Sequence, residues 1–198
     1  MPPGRADTEV PVCVDDDALL KMLYIRDVHG LQVAGMPSTA SGRRTRTARS
    51  RDVLGAVERS TRQEALSRQW RDSLHWLLDA SHRQDLTHRI LESGDRSRLH
   101  EVLPPAWDER TQSLLDLEGY SEWHASLSPS VFMNTEDGDE PRAALASATK
   151  RGLRVIVVLP LSEPHAEEFS AGGMLLSWEV YRRAGSRTAA LEGFCGAS

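Results

Sequence analysis

The sequence predicts an α+β fold, with a helical middle segment packed on a small sheet formed from N- and C-terminal strands. Three observations predict it. Near the start, "EVPVCV" (9–14) has strand character. In the last third, "LRVIVVLPL" (153–161) is a nearly unbroken aliphatic run bracketed by Gly152 and Pro164, the pattern of a strand covered on both faces. Between them Leu66, Trp70, Leu74, Leu77 and Leu78 recur at helical spacing.

Pro11 has no N–H to give a ladder, so it confines the first strand to an edge or to a strand start. Asp15, Asp16 and Asp17 then offer N-caps for "ALLKMLYIRDVHG" (18–30), a helix with Leu19, Leu20, Leu23 and Tyr24 on its apolar stripe. Gly30 closes that helix. "LQV" (31–33) reads as a short strand. From residue 36 the chain carries Pro, Gly, Ser and Thr with no periodic apolar residue, which predicts a mobile loop.

Helical pattern resumes near Arg51, with Glu58–Arg62 and Glu64–Arg68 as i,i+4 pairs on exposed faces. Thr61 with Glu64, and Ser81 with Gln84, fit the capping box, so a break is expected near Ser81 and a second helix that Gly94 ends. Pro105 suits the first turn of another helix, running through "DERTQSLLDLEG" (108–119) and extended by "SEWHASL" (121–127). "NTEDGDEP" (134–141) reads as an acidic turn and "RAALASATKRG" (142–152) as a short helix. "LLSWEVY" (175–181) alternates Leu176, Trp178 and Val180 against polar neighbours, the mark of a half-buried strand. The expected organisation is an N-terminal strand and helix segment (1–35), an Arg-rich flexible loop (36–50), a helical region (51–128), and a small α/β region (129–198) completing a single domain.

Composition narrows the function classes. A chain of 198 residues with 39% hydrophobic residues and five Trp can bury one core. A net charge of −5 opposes a surface that is one large nucleic-acid footprint, so any polyanion contact is local. The two cysteines, Cys13 and Cys195, lie near opposite ends with no zinc or disulfide spacing, and read as two free thiols. No window approaches 18 apolar residues, and the first residues carry acids without an apolar core segment. A soluble, cytoplasmic protein that does not enter membranes is expected.

Four clusters carry chemistry worth weighing. "GRRTRTARSR" (42–51) places Arg43, Arg44, Arg46, Arg49 and Arg51 in ten positions with no acid among them. Guanidinium forks suit phosphate or carboxylate, but no aromatic residue interleaves them, and a solvated linker explains the run better than either contact does. His75, Asp79 and His82 stand at i, i+4 and i+7, which on one continuous helix is a stripe of three metal ligands. The capping box at Ser81 opposes that continuity, and His88, Glu92 and His100 are the nearby fourth groups.

Ser162, Glu163, His165 and Glu167 follow the apolar run, where ligands bind beyond strand ends, with His165 as a general base. The same residues also make an ordinary helix start with Ser162 as N-cap. Finally, the acids around Gly138 do not have the spacing of a calcium loop, and Cys195 has no nucleophile signature. No cofactor motif is present. The reading that follows is a non-catalytic binding or regulatory subunit, which uses a helical surface for a protein partner. Its Arg-rich arm would contact an acidic partner or, weakly and non-specifically, a nucleic-acid backbone. The alternative is a small hydrolase or metal-dependent enzyme using a His/Asp cluster.

Overall fold

The computed structural model describes residues 10–39, 55–127, 135–136 and 138–196. Strands β1 (Val12–Val14), β2 (Val155–Leu159), β3 (Ala166–Phe169) and β4 (Gly173–Ser177) form one sheet in the order β1-β2-β4-β3. β1, β2 and β4 run parallel, and β3 pairs antiparallel with β4 at the far edge. Helices α1 (Asp17–His29), α2 (Ala56–Leu77), α3 (Ala80–Ser93), α4 (Glu109–Gln112) and α5 (Leu117–Ser126) lie between β1 and β2 in sequence. A 3₁₀ turn, Arg96–Glu101, separates α3 from α4. Helix α6 (Asp139–Lys150) precedes β2, and α7 (Trp178–Arg182) and α8 (Ala184–Gly193) close the chain. The fold is therefore α+β with its sheet drawn from the two ends.

The apolar run works as a doubly covered strand because successive side chains of β2 enter different cores. Val155, Val157 and Leu159 join α1, α2 and α5, while Ile156 and Val158 join α6 and α8. Leu175 and Leu176 of β4 divide in the same way. Every residue of β2 and β4 is buried, so neither strand has a polar face to alternate with. Each such aliphatic side chain contributes about 1.5–3 kcal/mol relative to an exposed one.

α1 starts where the Asp16 carboxylate accepts the N–H of Leu19 at 3.0 Å, and it stops at Gly30 in the left-handed region. It is buried on more than one stripe, because the sheet, α2 and α5 all pack on it. Against α5, a Cβ at Gly119 would overlap the Tyr24 hydroxyl, so only glycine permits this approach of the two helices.

Several expectations are corrected. Residues 31–33 form no strand. Instead Met36 to Thr39 pack on α1, where the buried Arg26 guanidinium donates to the carbonyls of Met36 and Pro37 and pairs with Asp27. The loop expected from residue 36 is thus tied down as far as Thr39, which bridges to Leu161. The break between α2 and α3 falls at Leu78–Asp79 rather than at Ser81, and α3 does end at Gly94 in the left-handed region. The helix expected after Pro105 is two, α4 and α5, each capped by its own aspartate, Asp108 and Asp116. "SEPHAEEF" does not start a helix, since its second half is β3. Trp178 begins α7 and is not a strand residue, because Ser177 ends β4 and its hydroxyl caps α7 through the N–H of Val180.

Candidate functional site

The three parallel strands end together, and Asp15 follows directly after β1. Its N–H continues the ladder to Val158 O at 3.0 Å, but its φ of 52° turns the chain sharply away from the sheet. Aspartate is among the few residues that adopt this conformation readily. The turn delivers Asp15, Asp16 and Asp17 in succession to the carboxyl edge of the sheet and the first turn of α1. In sheets of parallel strands, this edge is where ligands bind.

The side chains around the edge come from distant parts of the sequence. Ser177, fully buried at the end of β4, also accepts the N–H of His165 at 3.1 Å. This fixes the start of α7, so that the Trp178 indole N–H donates to the Asp15 carboxylate at 2.8 Å. From α5, the Tyr120 hydroxyl donates to Asp17 at 2.8 Å, and Lys21 pairs with the same carboxylate. Tyr120 stacks on His124 with ring centroids 5.7 Å apart, and packs edge-on against Tyr24 at the same separation.

Burial pushes the Asp15 carboxyl above its ordinary value, and the Trp178 hydrogen bond and the charge of His124 offset this only in part. Burial does the same to Asp16 against the opposing pull of the Leu19 and Ala18 amides, and the Asp17 charge adds to the rise. At Asp17 burial acts upward too, but the hydrogen bonds from Lys21 and Tyr120 outweigh it and hold the carboxyl low. The Tyr120 phenol is driven far up by burial and by its contact with Asp17. Three adjacent carboxyls are thereby set apart: two are held at a cost in solvation and one is paired.

The sites expected from sequence fare differently. Arg43, Arg44, Arg46, Arg49 and Arg51 lie outside the described residues. His75, Asp79 and His82 all line one open cavity of about 490 Å³ between α2, α3 and the 3₁₀ turn, together with Asp72, Trp76 and Arg83. They do not lie on one helix, because the chain breaks at Leu78–Asp79. Asp79 is occupied by Arg154, and the Arg83 guanidinium lies 3.6 Å over the Trp76 ring. Among the described residues, no three of His, Cys, Asp and Glu converge as metal ligands would.

His88 pairs with Glu92 at 3.2 Å, and His100 bonds to its own turn at Ser97 O. His165 pairs with Glu167 at 3.1 Å, next to the Ser177 that positions Trp178. Cys13 is partly buried and Cys195 exposed, both as free thiols. Among the described residues, no helix is long and apolar enough to cross a membrane. Sequence reasoning treated Asp15, Asp16 and Asp17 as caps alone. The signal that separates them from ordinary caps is their place directly after a strand. No family model, curated protein or solved structure matches the chain.

Proposed function

We propose that the chain is a non-catalytic binding or regulatory subunit that offers a helical surface to a protein partner, and that the partner sets a cationic side chain against Asp15 and Asp16. The observation that supports this reading is the pair of partly buried carboxyls, both raised by burial, at the carboxyl edge between α1, α5 and α7. A carboxylate held in a poorly solvated place gains more from an arriving cation than one surrounded by water does. The net charge of −5 favours encounter with a basic partner. The Arg-rich arm would add a separate contact, with an acidic face or a nucleic-acid backbone.

Binding of a fluorescein-labelled oligolysine peptide, followed by anisotropy at low salt, tests this. The double variant Asp15→Asn/Asp16→Asn is expected to bind about tenfold more weakly or worse, the scale of losing a charge-assisted contact. Equal affinity of the wild type and the variant would remove the reading.

The alternative, a small hydrolase or metal-dependent enzyme, finds better support at this same edge than at His75, Asp79 and His82. His124 lies close enough to Asp15 and Asp17 to act on their charge. One or two carboxylates with waters are enough for Mg²⁺. Line broadening of the Asp15 and Asp16 carboxyl resonances by Mn²⁺, reversed by Mg²⁺, would favour it over the binding reading.

A further inference from the structure

The two edges of the sheet are protected unequally. β3, at one edge, turns exposed Glu167 and Glu168 to solvent, and charges on an edge strand discourage the addition of another strand. β1, at the other, is "VCV", and no strand among the described residues pairs with its outer side. The ladder phase shows which groups are left over. Ile156 N–H donates to Pro11 O and Asp15 N–H donates to Val158 O, in a register that sets Val12 opposite Ile156 and Val14 opposite Val158. In a parallel ladder of that phase, the N–H and C=O groups of Val12 and Val14 point away from β2.

Beside this edge lies a cavity of about 110 Å³, lined by Val12, Pro141, Leu145, Ile156, Tyr181 and Leu191. Val12 is 38% exposed at its mouth. Two arginines also line the cavity. Arg187 is spent on the carbonyls of Tyr181 and Glu136, whereas Arg142 is exposed at the rim. A cationic group is therefore unwelcome at the Val12 end of the edge. At the other end the strand runs into Asp15 and Asp16.

We infer that the edge of β1 left unpaired among the described residues accepts an extended peptide segment of the protein partner as an added strand, with one apolar side chain in the cavity beside Val12 and a basic side chain at Asp15 and Asp16. This deepens the binding reading given above and rests on it. Main-chain hydrogen bonds to Val12 and Val14 would supply affinity, and the cavity and the acids would supply selectivity. From Val12 to Asp15 is three residues, about 10 Å along a strand, so the apolar and basic positions of the peptide lie about three residues apart.

The test uses fluorescein-labelled nonapeptides that alternate valine and threonine and end in two lysines, two aspartates or two serines. The lysine peptide is expected to bind the full chain, the serine peptide about tenfold more weakly and the aspartate peptide not measurably. Val12→Pro removes one outward N–H while sparing every bond to β2, and is expected to weaken the lysine peptide about tenfold with an unchanged melting curve. If Val12→Pro does not fold, Val12→Lys, which sets a charge at the cavity mouth, is expected to produce the same loss. Hydrogen exchange of the Val12 and Val14 amides is expected to slow when the lysine peptide is bound.

If the lysine peptide binds the Val12 variants as well as wild type while Asp15→Asn/Asp16→Asn loses it, the edge inference is wrong and the acidic-site reading stands. If the aspartate variant binds as wild type does, the acidic-site reading itself is wrong. Absence of any lysine-peptide binding at millimolar concentration overturns the inference. So does a concentration-dependent dimer, seen by sedimentation and abolished by Val12→Pro, since the edge would then belong to a second copy of the chain.

Discussion

The Trp178 indole N–H and the Asp15 carboxylate meet at 2.8 Å across 163 residues of sequence, and this bond ties the end of β1 to the start of α7. It joins two parallel strands that are not neighbours, since β2 lies between them. Its partners are also the groups that shape the acidic edge.

Trp178→Phe keeps an aromatic ring but removes the donor and part of the packing area. The charged form of Asp15 loses its hydrogen bond, so its pKa is expected to rise further above the ordinary carboxyl value, with a stability loss of about 1 kcal/mol. Carbon-detected NMR titration of the Asp15 carboxyl checks the direction. An unchanged or lowered titration midpoint would show that the indole does not act on Asp15.

Asp15 and Asp16 have folded pKa values raised above the ordinary 3.8. For a carboxyl raised in this sense, stability is fully present below pH 3.8 and is lost as pH rises through the folded value. Ionisation at neutral pH therefore works against folding. Asp15→Asn and Asp16→Asn are expected to be at least as stable as wild type at pH 7, the advantage closing as pH falls toward 3. Asparagine is chosen at position 16 because it still caps α1, whereas Asp16→Ala would lose about 1 kcal/mol of capping. Urea unfolding at pH 3 and pH 7 reads both effects, and Asn variants less stable than wild type at pH 7 would contradict the burial account.

How much of this was legible in the sequence depends on whether an element's pattern was set locally. β2 was legible, because a strand covered on both faces reads as an unbroken apolar run, as did α1, with its aspartate cap and terminal Gly30. β4 was placed two residues late at its start and four at its end: its own "GMLLS" has no alternation, and the apparent alternation through Trp178 and Val180 belongs to α7. β3 gave no signal, since an edge strand with exposed acids buries no face to write a period. The aspartates were visible as caps. The place of Asp15 and Asp17 among long-range partners was not, because Trp178 reaches Asp15 only through the parallel arrangement of β1, β2 and β4, and Tyr120 reaches Asp17 only from α5 packed on α1. The spacing of His75, Asp79 and His82 was misleading for the converse reason, since the periodicity is helical and the backbone breaks at Leu78–Asp79.

The approach of α5 to α1 rests on Gly119. Gly119→Ala would drive a methyl group into the hydroxyl of Tyr24, whose side chain is 2% exposed and has little room to yield. Overpacking of this kind costs about 1–3 kcal/mol. Because Tyr120 and His124 ride on the same helix, the tyrosine and histidine ring resonances are expected to shift together in aromatic NMR spectra. A variant with wild-type stability and spectrum would show that the helices are not held at this distance.

Val157 is fully buried in β2 between the sheet and α1. Val157→Asp places an unpaired carboxylate there, and a loss of about 3 kcal/mol or more is expected, or outright failure to fold. Thermal unfolding checks it, and a cooperative transition at the wild-type temperature would contradict the doubly covered position of β2.

Asp15 and Asp16 are proposed as the place where a cationic group of a partner docks. Titration calorimetry of the lysine-ended peptide at pH 3.8 and at pH 7, each in two buffers of different ionisation enthalpy, tests this most directly. Carboxyls raised above 3.8 are more than half protonated at pH 3.8, and their protons must leave as the cation arrives, so net proton release is expected at pH 3.8, less of it and tighter binding at the higher pH, and loss of both effects in Asp15→Asn/Asp16→Asn. Binding with no proton release, equal in strength at the two pH values and unchanged in the double variant, would contradict it.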